Sequence, residues 1–360
     1  MAYFLAQNNV TLWLKALSPH YEVYAPHREG PAIVYRQYSA TGDPAELTLR
    51  PTESAKHVVF PRAEELFRFT RERVAESTGT SVSVQEPADP GPALVFGALP
   101  CDARGFFAFD PVYNGSGTQG LAKDVYYLKR RAGTVFVVKG CTSPLATCFC
   151  NWVGGSPTGE EGADVFAMPV SGGFVLSAIT EKGKAALGAA PLPEADAAQE
   201  KEASEAQEAA KAAMPKPPAL GTAPKAILGL FDNAAFWLKQ SAACLSCGTC
   251  TYLCPTCYCF NITDESNGIA GVRFRSWDTC MSSLFTLEAS GHNPRANKAA
   301  RLKNRVGHKF SYYPDLHEGR FSCVGCGRCI KSCPSMVDIR AIVKAAIAEP
   351  QTEKEEVARG

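Results

Sequence analysis

Two stretches decide the reading of this 360-residue chain: CLSCGTCTYLCP at 244–255 and CVGCGRCIKSCP at 323–334. In each, four cysteines stand at x2, x2 and x3 spacing, and the last is followed by Pro255 or Pro334. That is the bacterial ferredoxin spacing for a [4Fe–4S] cluster. Three thiolates on a short looping backbone reach three corners of one cubane. The fourth, on the first turn of the following helix, reaches a corner of the other cluster. Gly248 and Gly327 permit the tight turns, and the prolines stop the loop from continuing as helix. A lone C-x2-C would leave a zinc knuckle or a redox dithiol open; two full copies ending in Cys-Pro favour clusters over both.

The rest of the composition is that of a globular protein able to bury a core, with 46% hydrophobic and 20% charged residues. The length suits two or three domains. Fifteen cysteines is an odd number, and eight lie in cluster spacing, so a disulfide scaffold is a poor reading. A net charge of +1 gives no strong overall field for nucleic acid or membrane. The opening MAYFLAQNNVTLWLKAL has no basic n-region or cleavage site, and no apolar run is long enough to span a bilayer. Thiolate clusters without an export signal lead us to expect a reducing cytoplasm.

The first half reads as an α/β domain over 1–190 with a mostly parallel sheet. Residues 1–16 are expected as an amphipathic helix with Phe4, Leu5, Leu12, Trp13 and Ala16 on its apolar side. YEVYA and PAIVYRQY are strands about a turn at 27–31, and Pro61 is expected to open a helix to about Val74. The informative part is 92–150. PALVFGALP is an apolar strand ending at Cys101, LAKDVYYLKRR a helix, and TVFVVKG a strand ending at Cys141. This βαβ pattern makes the strands parallel and puts both cysteines at carboxyl ends, the edge where open α/β sheets bind ligands. Cys148 and Cys150 follow on the next loop. The four can converge on a third cluster, or they are buried, inert thiols. Gly115, Gly117 and Gly120 form a G-x-G-x-x-G, but FDPVYN before it contains Pro111 and is no buried strand. No acidic residue follows at the dinucleotide distance either, so it reads as a glycine-rich loop.

From 191 to 226 the chain is rich in Ala, Glu and Pro and reads as a linker. A mainly α-helical dicluster ferredoxin-like domain is expected over 227–348, with an insert at 260–320 and a polar tail at 349–360. The insert is far longer than a compact ferredoxin needs. Cys257, Cys259 and Cys280 have no evident fourth ligand, His292 being the nearest candidate, and they read as structural thiols. Arg295, Lys298, Arg301, Arg305 and Lys309 recur at three or four residues and line one helical face. Such a face is ordinarily solvated; otherwise it docks an acidic partner or offsets the charge of reduced clusters. It lacks the aromatic interleaving of a nucleic-acid surface.

At PCDARGF, CTSPLATCFC, CPTCYC and the two cysteine rows, the chain resembles a family of iron–sulfur subunits. The family includes the A subunit of anaerobic sulfite reductase, the β subunit of cytoplasmic sulfhydrogenases, and the B subunit of flavin oxidoreductases that accompany heterodisulfide reductase. The resemblance covers most of the chain and is weakest at 192–224. It implies two [4Fe–4S] clusters, one held by Cys244, Cys247, Cys250 and Cys333, the other by Cys323, Cys326, Cys329 and Cys254. It also favours a third cluster on Cys101, Cys141, Cys148 and Cys150. In that family the subunit relays single electrons between a flavoprotein that handles NAD(P)H and a subunit bearing the terminal catalyst, a sulfite reductase, hydrogenase or heterodisulfide reductase. The expected function is therefore a non-catalytic electron relay. The alternatives are a flavin- or nucleotide-binding oxidoreductase that uses the Gly115–Gly120 loop, and an adaptor whose clusters only hold the fold.

Overall fold

The computed structural model describes residues 1–38, 45–74, 79–116 and 123–349. Its strands are β1 (Ala2–Ala6), β2 (Glu22–Glu29), β3 (Ala32–Gln37), β4 (Ala63–Arg73), β5 (Thr80–Gln85), β6 (Ala93–Ala98), β7 (Thr134–Lys139), β8 (Val165–Val170), β9 (Gly173–Ala178), β10 (Phe260–Ser266) and β11 (Ala270–Trp277). Seven of them form one sheet in the order β1-β9-β8-β7-β6-β2-β3. The centre is parallel, with β2 beside β6, β6 beside β7 and β7 beside β8. The flanking pairs β2–β3, β8–β9 and β1–β9 are antiparallel. The N-terminal sheet is thus mixed rather than mostly parallel: the hairpins at either side have turns too short for a crossover helix, and only antiparallel pairing lets a tight turn close.

Alternate residues of β6 feed two cores. Leu94 and Phe96 pack with Trp13, Leu14, Val137 and Leu176 on one face. Val95 packs with Phe106, Phe109, Phe136 and Val138 on the other. Burial on both faces is what a continuous apolar strand encodes.

Three expectations change. Residues 1–16 are not one helix: Ala2–Ala6 pairs with β9, and the helix runs Val10–Leu17 with Val10, Trp13, Leu14 and Leu17 buried. Leu12, expected inside, is exposed. The segment after Pro61 is strand β4, not helix. Its partners are β5 and β11, and the latter lies some two hundred residues on, so local periodicity could not reveal it. The pairing is anchored by Glu64, buried, which accepts from Arg275 Nε at 3.0 Å. Finally, 191–226 includes a capped helix, Ala197–Ala212, whose Ala203 is buried against the sheet. Its buried face is made of alanines, which leave no apolar stripe to read.

The 260–320 insert contributes the β10–β11 hairpin, so a four-stranded sheet, β10-β11-β4-β5, is shared by both halves of the chain. The helices Ala223–Gly229, Ala234–Ser241, Lys298–Gly307 and Ile339–Ala348 surround the cysteine rows. Their core includes Trp237, Leu302, Val306, Phe310 and Val343, together with Phe149 and Val153 from the loop after β7.

Candidate metal centres

The ferredoxin turns form as their residues dictate. Gly248 and Gly327 adopt φ of +78° and +74° and open short helices, Thr249–Tyr252 and Arg328–Lys331. Such left-handed positions favour glycine. Cys244, Cys247, Cys250 and Cys333 line one largely apolar cavity, walled by Met281, Leu302, Val337, Ile339 and Ile342. Cys333 of the second row thus joins three cysteines of the first, as in the interleaved pattern, and Cys329 lines the same cavity.

The remaining row cysteines are mutual neighbours. Burial pushes the Cys329 thiol up to about 12; Arg305 opposes that rise, while Cys326, Cys323 and Cys254 add to it. Cys101, Cys141, Cys148 and Cys150 line another cavity, which Arg50, Pro144, Pro157 and Gly325 help close. Cys101 lies in the short helix Pro100–Ala103 beyond β6, and Cys141 two residues beyond β7. The parallel pairing of β6 and β7 sets them side by side. Cys326 of the second row lines the same cavity.

That adjacency is enforced by backbone contact. A Cβ on Gly325 would sit 2.4 Å from the Phe149 carbonyl carbon, and one on Gly327 would sit 2.4 Å from the Thr147 carbonyl oxygen. Phe149 N–H also donates to Gly325 O at 2.8 Å. Arg328, in the second row, pairs with Asp102 beside Cys101, and both are buried. Asp102 in turn accepts from Leu99 N–H at 3.2 Å. Arg50 donates to Cys148 Sγ at 2.7 Å and to Cys326 O at 2.6 Å.

The residues present fit [4Fe–4S] clusters. All fifteen cysteines are free thiols. Backbone N–H groups of Ser246, Gly325, Val337 and Leu145 lie 3.2–3.4 Å from Sγ of Cys244, Cys323, Cys333 and Cys148. Such N–H···S bonds are one of the protein's levers on cluster potential. Arg305 lines the first cavity, and its buried Nε has no hydrogen-bond partner.

The basic face at 295–309 does not face solvent as expected. Arg301, Arg305 and Lys309 are buried. Arg305 donates to Cys250 O at 3.1 Å, and Lys298 to Ala242 O and Cys244 O. Lys309 donates to Thr256 Oγ1 and Ser322 O, both at 2.8 Å. Burial opposes the Lys309 charge, yet Cys254, Cys257 and Cys323 outweigh it and hold its pKa above the ordinary lysine value. Arg305 and Lys309 are thus set beside cysteine thiols, whereas Arg301 donates to Arg295 O, Ala296 O and Ser246 Oγ; Arg295 and Lys298 keep partial exposure. Sequence reasoning missed two further cations, Arg50 and Lys56. Lys56 is buried, bonds to Cys257 O at 2.9 Å and lies 4.0 Å from the centroid of the Trp277 ring. Neither had a motif to mark it.

Cys257, Cys259 and Cys280 line one cavity with His308, whereas His292 is exposed and stands elsewhere. Gly115 follows the helix Asp110–Tyr113 rather than a strand, so its loop is not the strand-to-helix turn of a dinucleotide site. Gly117 and Gly120 lie outside the described residues, as do residues 350–360 of the expected tail.

Comparison with known proteins matches residues 243–337 to a 4Fe-4S dicluster domain. Over 326 residues the chain is 29% identical to the sulfhydrogenase 2 subunit beta of Pyrococcus furiosus, covering 88% of this chain and 89% of that one. Both matches support an iron–sulfur electron-transfer subunit. No solved structure matches this subunit. Among its described residues no helix is long and apolar enough to cross a membrane.

Proposed function

We propose that this subunit relays single electrons along three [4Fe–4S] clusters in a row. Their ligands are Cys101, Cys141, Cys148 and Cys150; then Cys323, Cys326, Cys329 and Cys254; then Cys244, Cys247, Cys250 and Cys333. The observation that carries this reading is the cysteine-lined cavity at either side of the second row, with Cys326 lining one and Cys329 the other. When bound, the clusters supply one-electron chemistry at potentials tuned by burial and by hydrogen bonds to sulfur.

The chain's own part is to hold that row rigid and electropositive. Gly325 and Gly327 let the third cavity abut the second row, while Arg50, Arg305 and Lys309 face the sulfurs from positions that exclude water. At the outer end Cys247 is exposed, and Leu245 and Met336 are exposed beside it on the two rows. This is where a redox partner would meet the chain. The Pyrococcus protein is named as a sulfhydrogenase subunit, and by analogy the partners here are a hydrogenase-type or other terminal catalyst and an NAD(P)H-linked flavoprotein.

Iron and sulfide analysis of anaerobically purified protein, with EPR, tests the count: about twelve irons per chain are expected, against about eight for two clusters. The pair Cys141→Ser and Cys148→Ser should remove about four irons and leave the ferredoxin-type signals in place. Unchanged iron in that variant would refute the third site.

A further inference from the structure

The cavity that holds Cys257, Cys259 and Cys280 belongs to none of the three cluster sites, and nothing in the relay uses it. How it forms is visible in the hairpin. Phe260 of β10 pairs with Trp277 of β11, and the ladder continues one step, Asp278 N–H donating to Cys259 O at 2.9 Å. This zips Cys259 to the neighbourhood of Cys280 across twenty intervening residues. Both thiols line the one cavity, and the Cys280 side chain, then burial and the Cys280 backbone, bear on the Cys259 thiol, which is held below the ordinary thiol range. Cys257, three residues before β10, lines the same cavity, and Cys254 is the first cause that raises its thiol pKa.

Around the thiols the walls are cationic and aromatic. Arg295, Arg305 and Lys309 supply the charge, and His308, Tyr258, Phe260 and Phe285 the rings. His308 begins a π-helical turn, His308–Tyr312, and its Nε2 lies 3.3 Å from Tyr258 Oη. The cavity volume is about 320 Å3. Phe260 is exposed, and Cys259 and Arg295 keep partial exposure, so the cavity opens outward. Among the described residues, no three His, Cys, Asp or Glu side chains stand close enough for a single metal ion. What the geometry offers is a pair of neighbouring thiols in one cavity.

We propose that Cys259 and Cys280 are a redox-active dithiol that reduces a small anionic disulfide admitted by this cavity. Cys259 is the attacking thiolate, because a hydrogen bond from Cys280 and the nearby lysines favour its ionised form. It attacks one sulfur of the bound disulfide, forming a mixed disulfide and expelling one thiolate. Cys280 gives its proton to the first expelled thiolate and attacks the Cys259 sulfur, forming the internal bridge and expelling the second thiolate. The substrate has gained two electrons and the pair has lost them. Return of the bridge to two thiols takes two electrons and two protons, and the electrons come singly from the relay proposed above, on which this inference rests. Cys257 lines the same cavity and is influenced by Cys254, a ligand of the proposed relay, so the pair is beside that relay.

The probe is 5,5′-dithiobis(2-nitrobenzoate), an anionic aromatic disulfide whose thiolate product is coloured. Anaerobic holoprotein should release about two product thiolates per chain in a fast phase, with iron content unchanged. Peptide mapping should find a bridge between Cys259 and Cys280. Cys280→Ser should release about one and retain the probe on Cys259, and Cys259→Ser should lose the fast phase. The bridged protein, reduced with methyl viologen radical, should regain both thiols. No fast phase in the wild type, a bridge elsewhere, or loss of iron in either serine variant would overturn the proposal, the last by making these residues metal ligands. If EPR shows the clusters reduced while the bridge persists, the dithiol assignment fails and the relay stands. If the fast phase and bridge appear but the clusters accept no electron, the relay fails instead.

Discussion

Lys309 gives the relay a quantitative test. Its ammonium is buried, and no carboxylate pairs with it among its hydrogen bonds. Nζ lies 2.8 Å from Thr256 Oγ1, which lies 3.2 Å from Cys254 Sγ, so the two steps bound the charge at 6.0 Å from that sulfur. A unit charge at about 6 Å, in an effective dielectric of about 20, interacts with an added electron by about 2.8 kcal/mol. At 59 mV per tenfold change for one electron, that is roughly 0.1 V. The sign follows directly: a cation stabilises the reduced, more negative cluster, so it raises the potential. Lys309→Met keeps most of the length and removes the charge. The cluster on Cys254, Cys323, Cys326 and Cys329 should fall in potential by roughly 0.1 V, with a smaller shift at its neighbour. Lys309→Arg should leave the potential nearly unchanged, as should Lys201→Met on an exposed helix face. The assay is an EPR-monitored redox titration of the holoprotein. A Lys309→Met protein with full iron content and potentials within about 20 mV of the wild type would refute the electrostatic role.

Three other outcomes follow from the structure. Gly325→Ala should lose about four irons from the N-terminal site, since a left-handed φ of +63° costs about 1–2 kcal/mol and the new Cβ meets the Phe149 backbone; Gly188→Ala, where a Cβ would meet nothing, is the iron-neutral control. Arg328→Met leaves buried Asp102 without its cation and should lower unfolding stability by about 3–5 kcal/mol in denaturant titration, with Asp102→Asn in the same chain restoring part of the loss. His57 is half-buried, and desolvation first, then Arg62, lowers its pKa to about 4 from 6.5. Above about pH 6.5 it should have no effect on stability; between about 6.5 and 4 only the unfolded chain takes up the proton, so stability should fall with pH by about 3 kcal/mol, and His57→Phe should flatten that part of the profile.

Much of this was legible because some chemistry is written locally. The two cysteine rows carry their spacing, their positive-φ glycines and their terminal prolines within twelve residues each. The strand–helix–strand at 92–141 was legible for a similar reason: its apolar runs are unbroken and its cysteines fall at strand ends. What could not be read depends on partners distant in sequence. β4 has charged residues on its outer side and becomes a strand only because β11 lies against it. The basic face at 295–309 has the periodicity of a solvated helix, yet it is buried because the cysteine rows fold around it. Arg50 and Lys56 stand in unremarkable surroundings and reach sulfur or cysteine carbonyls more than ninety residues away. The hairpin contact of Cys259 with Cys280 likewise needs the β10–β11 register before it can be seen.

That dependence on distant partners bears on whether the ferredoxin half can stand alone. Residues 227–349 contain every cysteine of the two row sites, so spacing alone would expect an autonomous dicluster domain. The contacts argue otherwise. Without the N-terminal half, Arg328 loses Asp102, and the third core loses Phe149 and Val153. The β10–β11 hairpin loses β4, and with it the buried Glu64 that pairs with Arg275. Each loss removes an ion-pair partner or opens an apolar face to water, in a protein whose total stability is about 5–15 kcal/mol. Expressed alone and reconstituted with iron and sulfide beside the full chain, residues 227–349 should bind well under eight irons and lack the ferredoxin-type EPR signals. A fragment that takes up about eight irons with the full-length signals would mean that the two halves are independent, and that the buried pairs between them fix geometry without supporting the fold.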